Sequence, residues 1–414
     1  MGLMMHPSKE IQGVKSNHLS KKRIVLGVTG SIAAVETVKL ARELIRHGAE
    51  VYPVMTPSAT KIIHPDALYF ATGNKPVVEL TGAAEHVFFC GRVKKPVDLL
   101  LICPCTSNTI SKIAHGIDDT SVTTFATTAI GTGIPILIVP AMHLSMYDHK
   151  IVQQNIEKCK QIGIKFISPF IERNKAKMPE VDEIVSNVIR EIGRQDFKGK
   201  KILVIGGATV ESIDDVRIVT NRSSGKTAVS LAVNAFYRGA DVELWHGFIK
   251  MDIPKYIKTT VFESVKDLLK LLKTKNLKKF DVVILAAAVS DYIPEKHKGK
   301  IPSGIENFVI KMSPAPKIIT YLRKQVPKSV LVGFKVEEKK ENLKEKAMEL
   351  LRKNKLDFVV GNTISGFTRD ENEIWIYDKK GEIDHKKDKK EILANHILDV
   401  VAKKVKPFEN IVRI

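Results

Sequence analysis

Residues 23–31 read Arg-Ile-Val-Leu-Gly-Val-Thr-Gly-Ser, and residues 201–209 read Lys-Ile-Leu-Val-Ile-Gly-Gly-Ala-Thr. Each stretch is an apolar run that passes into glycine and a hydroxyl residue, which is typical of a buried strand and a tight turn. A helical pattern follows each one and ends at His-Gly-Ala (47–49) or at Arg-Gly-Ala (238–240), before a second strand. This repeated order predicts two doubly wound, Rossmann-like α/β domains with parallel sheets.

The domain boundary is predicted between the two repeats. Residues 193–199 read Gly-Arg-Gln-Asp-Phe-Lys-Gly and separate a helical pattern from the fresh strand that starts at 201. We therefore expect an N-terminal tail over 1–21, a first domain over 22–192 and a second domain over 193–414. The length of 414 residues agrees with two domains better than with one.

Composition narrows the class of protein. With 44% hydrophobic and 27% charged residues, the chain is expected to be globular. No apolar run reaches the ~18–20 residues of a membrane span, and the polar N-terminus lacks the apolar core of a secretory signal, so we expect a cytoplasmic protein. The four cysteines are too few for a disulfide framework. The net charge of +20 suits nucleic acid or anionic small molecules, but aromatic residues, at 6%, are not interleaved with the basic ones, which disfavours nucleic acid.

Polar or small residues follow each of four predicted strands in the first half. They are Thr29, Gly30, Ser31 and Ile32; Thr56 and Ser58; Pro104, Thr106, Ser107 and Asn108; and Met142. Ligands of doubly wound sheets bind beyond the carboxyl ends of the strands, where helix N-termini attract phosphate. No acidic residue ends the second strand to bind a ribose diol, which favours a mononucleotide over NAD. The alternative for Ser31 is an ordinary N-cap.

As a set, these motifs resemble the FMN-dependent cysteine decarboxylases. They are more closely similar to the decarboxylase half of the bifunctional phosphopantothenoylcysteine synthetase/decarboxylase family of coenzyme A biosynthesis. The resemblance rests on the motifs at 28–33, 55–59, 103–109, 112–119 and 140–142. It implies bound FMN, with Thr123 also in the cofactor pocket, and a catalytic histidine at His86. Family members oxidise the cysteinyl thiol with FMN, release the carboxylate, and return the hydride.

The first half departs from the family pattern in two places. The family's Pro-x-Met-Asn, whose Asn contacts the substrate carboxylate, reads Pro-Ala-Met-His over 140–143, so His143 would make that contact. The family's flap carries a cysteine, whereas the short stretch 171–180 has none. Either another group such as His143 donates that proton, or the domain has a different flavin-dependent activity, such as prenyl transfer.

The second half places small, hydroxyl and cationic residues ahead of a helix. Gly206 and Gly207 end the first strand, and Asn221 stands in a long loop. The next residues suit a phosphate at the helix N-terminus: Ser223, Ser224, Gly225 and Lys226. The alternative is that Ser223 is an N-cap and Lys226 is solvated. A carboxylate near lysines, Asp291 with 296–300, indicates a Mg²⁺–triphosphate site, although a lysine-rich loop is by default solvated surface.

These residues resemble the phosphopantothenate–cysteine ligase half of the same family, most specifically through Asn-Arg-Ser-Ser-Gly-Lys at 221–226. The family uses CTP to convert 4′-phosphopantothenate into an acyl-cytidylate, from which cysteine displaces CMP. The resemblance implies that Asn221 holds the acyl-cytidylate. It assigns further residues as follows: Ala287, Asp291 (with Mg²⁺) and Phe334 to the nucleotide pocket, Lys296, Lys298 and Lys300 to charge neutralisation, and Lys346 and Lys353 to phosphate.

The favoured hypothesis is a fused enzyme for two successive steps, a CTP-dependent ligation followed by an FMN-dependent decarboxylation. Its partners would be the small molecules 4′-phosphopantothenate, L-cysteine and CTP, without nucleic acid or membrane. The resemblance also implies a homo-oligomer, a trimer or a multiple of one. Two alternatives come from other classes. One is a basic nucleic-acid-binding protein, with salt-dependent affinity and no flavin. The other is a regulatory subunit that binds flavin without turnover.

Overall fold

The computed structural model of the chain describes residues 6–366 and 369–405. The chain divides into two compact units, one ending at Gly193 and the other beginning at Arg194. Each unit is an α/β domain built on a mainly parallel sheet, so the predicted fold class is confirmed. Within the described residues, no helix is both long enough and apolar enough to cross a bilayer.

The first domain alternates strands and helices along the chain. Its strands are β1 (Arg23–Val28), β2 (Glu50–Met55), β3 (Leu99–Cys105), β4 (Ile136–Pro140), β5 (Met142–His143), β6 (Lys165–Phe166), β7 (Phe170–Glu172) and β8 (Lys175–Lys177). Its helices are α1 (Pro7–Glu10), α2 (Thr37–Arg46), α3 (Pro57–Thr60), α4 (Pro65–Thr72), α5 (Glu85–Cys90), α6 (Ser107–His115), α7 (Ser121–Thr132), α8 (Leu144–Tyr147), α9 (Lys150–Gln161) and α10 (Val181–Ile192). A 3₁₀ helix, Ile32–Glu36, precedes α2.

The main sheet of this domain is parallel, in the order β2-β1-β3-β4-β6. Counted along the chain this is 2-1-3-4-5, the flavodoxin-like order, and the direction of winding reverses between β1 and β3. The strands read as nearly continuous apolar runs because helices cover both faces. Val25, Ile102 and Ile138 are fully buried in the core beside Phe125 of α7. The reversal point is where a ligand is expected.

The N-terminal segment is part of this domain where the structure describes it. Leu19 is fully buried, and the Gln12 side-chain amide donates to the Gly48 carbonyl over 3.2 Å. Ser16 Oγ lies 2.7 Å from His47 Nδ1. Residues 6–21 therefore pack on the end of α2 rather than forming the separate tail that we expected from their polarity.

The second domain continues the same alternation. Its strands are β9 (Lys201–Gly206), β10 (Val210–Ser212), β11 (Ile218–Thr220), β12 (Asp241–His246), β13 (Lys258–Val261), β14 (Val282–Leu285), β15 (Tyr292–Pro294), β16 (Met312–Pro314), β17 (Val330–Glu337), β18 (Phe358–Thr363), β19 (Glu371–Asp378) and β20 (Gly381–Lys389). Its helices are α11 (Lys226–Tyr237), α12 (Val265–Thr274), α13 (Ile318–Gln325), α14 (Lys340–Asn354) and α15 (Lys390–Ala402), with a 3₁₀ turn at Ile364–Gly366.

The main sheet of the second domain has the order β13-β12-β9-β14-β17-β18-β19-β20. Its first six strands are parallel in the order 3-2-1-4-5-6, that of dinucleotide-binding folds, and the last two are antiparallel. Helices α11 and α15 cover one face, and α12, α13 and α14 cover the other. The winding reverses between β9 and β14, beside the loop that leads into α11.

Candidate functional site

The carboxyl ends of β1, β2 and β3 are tied together by hydrogen bonds. The Thr29 hydroxyl donates to the Pro104 carbonyl over 2.8 Å and accepts from the Thr106 amide over 3.0 Å. The Thr56 amide donates to the Val28 carbonyl over 3.0 Å. Pro104, expected just after the third strand, lies inside β3, because that strand continues to pair with β4 through Cys105. The predicted cofactor residues of these strands therefore share one edge of the sheet.

Several hydroxyls at this edge cap helices. Thr56 accepts from the Ala59 amide at the start of α3, and Thr106 accepts from the Thr109 amide at the start of α6. Thr123 shares a capping box with Thr120 at the start of α7. Caps satisfy helix amides that would otherwise lack partners. These three side chains stabilise the helix starts, so backbone amides and other side chains are left to meet a ligand.

The residues open to a ligand at this edge come from three helix starts. Ser58 and Asn108 are exposed, and Ile32 is 77% exposed, whereas Ser107 is buried. A Cβ at Gly30 would lie 2.6 Å from Ser58 Cβ, so the turn after β1 packs directly against α3. Ser31 occupies the N-cap position of the 3₁₀ helix but makes no capping hydrogen bond through its side chain. The result is a small-residue cradle flanked by helix N-termini, a suitable place for a phosphate.

His86 lies on α5 and is half-buried. Its Nδ1 is buried and has no hydrogen-bond partner among the described residues. Buried polar atoms are nearly always paired, so an unpaired ring nitrogen indicates that a bound ligand supplies its partner. The hydrogen bonds of the described residues do not connect His86 to the strand ends that hold the other predicted cofactor residues. Its assignment to the reaction remains a prediction.

His143 caps the short helix α8. Its Nδ1 accepts from the Ser145 amide over 3.3 Å and lies 2.8 Å from Ser145 Oγ. Since Nδ1 acts as an acceptor, the neutral ring carries its proton on Nε2, which can donate to an anion. His143 is exposed, and the preceding Met142 is half-buried. The imidazole can thus offer the donor that an asparagine amide would offer to a carboxylate.

The stretch predicted as a shortened flap is a β-hairpin. Strands β7 and β8 are joined by Arg173 and Asn174, both with positive φ. Strand β8 also pairs with β5, which sets Lys175 opposite His143. The hairpin is therefore held to the end of β4 through β5 and brings a lysine rather than a cysteine beside His143.

The four cysteines, Cys90, Cys103, Cys105 and Cys159, are free and buried. Cys159 is fully buried in the core. Burial raises the pKa of Cys90 to about 12 and that of Cys159 to about 11. These thiols are protonated at neutral pH and are structural.

A pocket in the second domain opens at the N-terminus of α11. Six of its lining residues were predicted from the sequence: Ser223, Ser224, Gly225, Lys226, Ala287 and Phe334. Further lining residues that the sequence analysis missed include Thr227, Asn362, Asn372 and Lys390. The pocket lies at the carboxyl edge of the sheet, next to the point where the winding reverses.

Gly225 determines how α11 begins. Its φ is +75°, and a Cβ there would lie 2.6 Å from Ile249 Cγ1, so another residue type would be strained and crowded. Gly225 is the N-cap and has no side chain of its own to cap the helix, while the Lys226 amide donates to Ser224 Oγ over 3.4 Å. The alternative of Ser223 as N-cap is therefore wrong: its hydroxyl accepts from the Gly225 amide over 3.4 Å.

Asn221 anchors the loop ahead of α11. Its side-chain amide donates to the Ala288 carbonyl over 2.8 Å, just beyond β14. Gly206 is buried at the end of β9, and Gly207 follows with a φ of +75°. These contacts bring the ends of β9 and β14 and the Asn221 loop to the same side of the domain.

The basic loop over 296–300 is fastened to the loop that follows β10. Asp214 accepts from the Ile301 amide over 3.0 Å, and Asp215 accepts from the Gly299 amide over 3.0 Å. Lys296 forms an ion pair with Asp215 over 2.9 Å, while Lys298 and Lys300 are exposed. The Ile301 amide, helped by the amides of the Asp214 turn, holds the pKa of Asp214 well below its usual range. The lysines are thus presented on an ordered loop.

Other predicted residues of this half lie outside the pocket lining. Asp291 forms an exposed ion pair with Lys317 over 2.6 Å, and Lys346 lies 3.6 Å from Glu349. Lys353 is exposed on α14. In the part of the chain that the structure describes, no group of three acidic, cysteine or histidine side chains is arranged to hold a metal ion. Asp291, Lys346 and Lys353 are not among the residues that line the α11 pocket.

The pocket residues that the sequence analysis missed differ in whether a local sequence pattern could have predicted them. Asn362 lies near the end of β18, where a polar residue after an apolar run could have been noticed. Lys390 ends the lysine-rich stretch Lys-Lys-Asp-Lys-Lys over 386–390, which resembles solvated surface. Only the fold shows that this particular lysine is buried, with 5% of the residue exposed.

The fold is that of two joined α/β domains, each with a candidate ligand site at the carboxyl edge of its sheet. A family model described as Flavoprotein matches residues 12–193, and one described as DNA/pantothenate metabolism flavoprotein C-terminal domain matches residues 197–405. The chain belongs to the family of bifunctional coenzyme A biosynthesis proteins.

Two curated relatives bear the name Coenzyme A biosynthesis bifunctional protein CoaBC. The one from Thermococcus kodakarensis is 49% identical over 90% of this chain and 92% of its own length. The one from Methanocaldococcus jannaschii is 40% identical over 97% of this chain and 99% of its own. A crystal structure of the DNA/pantothenate metabolism flavoprotein from Streptococcus pneumoniae covers 50% of this chain at 25% identity, with a TM-score of 0.45. This family membership does not favour the nucleic-acid-binding alternative.

Proposed function

We propose that the chain catalyses two successive steps of coenzyme A biosynthesis, ligation of cysteine to 4′-phosphopantothenate and decarboxylation of the product. The observation that carries the proposal is the 49% identity to a bifunctional coenzyme A biosynthesis protein across both domains. We assign the ligation to the second domain and the decarboxylation to the first. The ligation must come first, because its product is the substrate of the decarboxylation.

In the ligase domain, the α11 pocket would receive the phosphates of CTP. The N-terminus of α11 and the Lys226 ammonium supply positive potential, and the small residues around Ala287 leave room for a flat base. Asn221, anchored on Ala288, would hold the acyl-cytidylate while the cysteine amine attacks its carbonyl carbon and CMP departs. Lys296, Lys298 and Lys300 would neutralise charge that develops on the phosphates.

A magnesium ion would enter this domain with the nucleotide. Mg²⁺ is usually held by one or two carboxylates together with substrate phosphates rather than by a protein cage. Asp291, which lies outside the lining of the α11 pocket and pairs with Lys317, is the carboxylate that we assign to it, and the ion would supply charge neutralisation of the phosphates. Lys346 and Lys353 remain candidates for a further phosphate contact.

In the decarboxylase domain, the residues at the carboxyl edge fit FMN. The Gly30 turn admits a close approach, three helix starts surround it, and His86 has an orphaned buried Nδ1. Bound FMN would supply the oxidation of the thiol and the later return of the hydride. His86 would move the substrate proton, and the His143 Nε2–H would hold the substrate carboxylate until it leaves as CO₂.

The protein would work as a homo-oligomer in the cytoplasm on small-molecule substrates. Because family decarboxylase halves place FMN at a subunit interface, the exposed side chains at this edge, such as Ile32, suit burial by another copy.

The test is a coupled assay on the full chain. The purified protein is first examined for an FMN absorption spectrum, with FMN added back, and is then supplied with 4′-phosphopantothenate, cysteine and CTP. We expect release of pyrophosphate and CMP followed by release of CO₂, and ATP in place of CTP measures the nucleotide preference. Pyrophosphate release without CO₂ from an FMN-loaded protein would overturn the decarboxylase assignment and favour a different flavin activity. Absence of both products would overturn the proposal.

A further inference from the structure

Thr209 is a fully buried residue just beyond β9, at the carboxyl edge of the second sheet. Its amide donates to the Ala288 carbonyl over 3.2 Å, and its hydroxyl oxygen accepts from the Ser290 amide over 2.9 Å. Its carbonyl accepts from the Thr220 hydroxyl over 2.8 Å. The amide, the carbonyl and the hydroxyl oxygen of Thr209 are therefore all engaged, and their partners lie on two segments that are far apart in the sequence.

The two segments that Thr209 joins carry residues that we assign to the ligation. Thr220 precedes Asn221, which we assign to the acyl-cytidylate. Ser290 precedes Asp291, which we assign to the magnesium ion. The Asn221 side-chain amide also donates, over 2.8 Å, to the same carbonyl that accepts from the Thr209 amide. The side-chain and carbonyl hydrogen bonds of Thr209 thus each end one residue away from an assigned side chain.

Glu211 orients the Thr209 hydroxyl. Glu211 is buried, with 4% of the residue exposed, and its carboxylate accepts from the Val265 amide at the start of α12 over 2.9 Å. Burial raises the pKa of Glu211, and hydrogen bonds from the Val265 amide and the Thr209 hydroxyl oppose the shift. An ionised carboxylate only accepts hydrogen bonds, so it takes the hydroxyl proton and leaves the Thr209 oxygen to accept from the Ser290 amide.

We propose that Thr209 is a positioning residue for the ligation, which holds the Asn221 and Asp291 segments at a fixed separation. The inference rests on the proposed ligase function. Because Thr209 is fully buried, it acts through these neighbours and not on the substrate. A misplacement of about 1 Å in a group that orients a substrate can lower the rate about 100-fold. Ser290 does not line the α11 pocket, so loss of its bond to Thr209 should affect kcat more than the KM for CTP.

The experiment measures the steady-state kinetics of pyrophosphate release by the full chain, supplied with 4′-phosphopantothenate, cysteine and CTP. Thr209→Val keeps the branched shape of the side chain and removes the hydroxyl. We expect kcat to fall about 10- to 100-fold, corrected for the folded fraction, with the KM for CTP within about threefold of the wild type. Thr209→Ser keeps the hydroxyl, so its kcat should stay within about threefold of the wild type.

The matched control is Ser329→Ala, which removes another buried hydroxyl of this domain. The Ser329 hydroxyl donates to the Phe280 carbonyl over 2.6 Å, at the amino ends of β17 and β14 and therefore at the opposite edge of the sheet. Its loss should lower the melting temperature and leave kcat unchanged. A merely structural role of Thr209 would give the same result in Thr209→Val.

Three outcomes would contradict the inference. An unchanged kcat in Thr209→Val, a change confined to the KM for CTP, or a loss of kcat that Thr209→Ser does not restore would each overturn it and leave the proposed function intact. A wild-type protein that releases no pyrophosphate would overturn the proposed function, and the inference with it.

Thr220→Val tests the same role even if Thr209→Val fails to fold. Thr220 is exposed, and valine keeps its branched shape while removing the bond to the Thr209 carbonyl. We expect kcat to fall about two- to tenfold, the effect of losing one neutral hydrogen bond. An unchanged kcat in this variant would overturn the hold of Thr209 on the Asn221 segment.

Discussion

The two domains place similar residues at the same edge of similar sheets and use them differently. In the first domain, Thr56, Thr106 and Thr123 cap helix starts, so their hydroxyls are committed to the fold. In the second domain, α11 begins at a glycine, which has no side chain of its own to cap the helix, and its pocket is lined by lysines. Strand-end hydroxyls therefore do not mark a ligand by themselves, since they also satisfy helix amides. A glycine helix start with lysines in the pocket wall is the stronger indication of an anion site.

The largest expected effect separates the two domains completely. His86→Asn should lower decarboxylation by about 10²–10⁴-fold, the contribution of a positioned acid or base, and leave ligation unchanged. Asn221→Asp should lower ligation by about 10²–10³-fold, because it replaces a donor with a charge that repels phosphate, and leave decarboxylation unchanged. The readouts are CO₂ release from supplied 4′-phosphopantothenoylcysteine and pyrophosphate release from CTP.

If either variant impaired both reactions while keeping its melting temperature, the separation of the sites by domain would be contradicted. Loss of neither reaction would remove these two residues from the mechanism.

A smaller effect is expected from filling the cradle of the first domain. Gly30→Ala puts a Cβ 2.6 Å from Ser58 Cβ, and such overpacking costs about 1–3 kcal/mol. We expect weaker FMN retention with unchanged CTP binding, measured by flavin fluorescence after dilution and by calorimetry. The control is Gly131→Ala in α7, where a Cβ meets open space, so FMN retention should be unchanged. Equal FMN retention in both variants would show that the Gly30 turn does not contact the cofactor.

The smallest effect is a difference in acid stability between the domains. Burial lowers the pKa of His47 in the first domain to about 4, so between about pH 6.5 and 4 the unfolded state binds more protons than the folded state. Stability of the first domain should therefore fall as the pH drops through that range. Asp214 in the second domain has a lowered pKa, so its contribution is present above about pH 4 and is lost only at lower pH.

Both tryptophans, Trp245 and Trp375, lie in the second domain, so their fluorescence reports on it alone. Between pH 7 and 5 we expect the unfolding temperature read from tryptophan fluorescence to change less than that read from circular dichroism, to which the first domain also contributes. His47→Gln should flatten the first-domain response. A steeper response of the tryptophan signal in this range would reverse the predicted order.

The sequence predicted strands correctly where the apolar runs were long. The predictions that failed concern segments whose structure depends on contacts with distant elements. The apolar runs at 23–28 and 201–206 predicted β1 and β9 because central parallel strands are buried on both faces. The polar segment 6–21 gave no such pattern, yet Leu19 is fully buried against the rest of the first domain. The strand containing Pro104 was predicted too short because its last residues pair only with β4.

The candidate sites were predicted unevenly for a related reason. The residues of 221–226 are contiguous, so their chemistry could be read from a single turn ahead of a helix. Lys390 is 164 positions beyond Lys226 and lies in a lysine-rich run. It reaches the same pocket because α15 lies across α11. Asp291 had a suggestive local context, but its contact with Lys317 and its position outside the pocket lining depend on the β15–β16 hairpin.

The sequence alone determined the two α/β domains and the turn at the start of α11, because apolar periodicity and glycine requirements are local properties of the chain. The tertiary structure decided which hydroxyls are committed to caps and which lysine is buried. Those outcomes depend on elements far apart in the chain that meet at one sheet edge, where burial and neighbouring charge set the energy of every polar group.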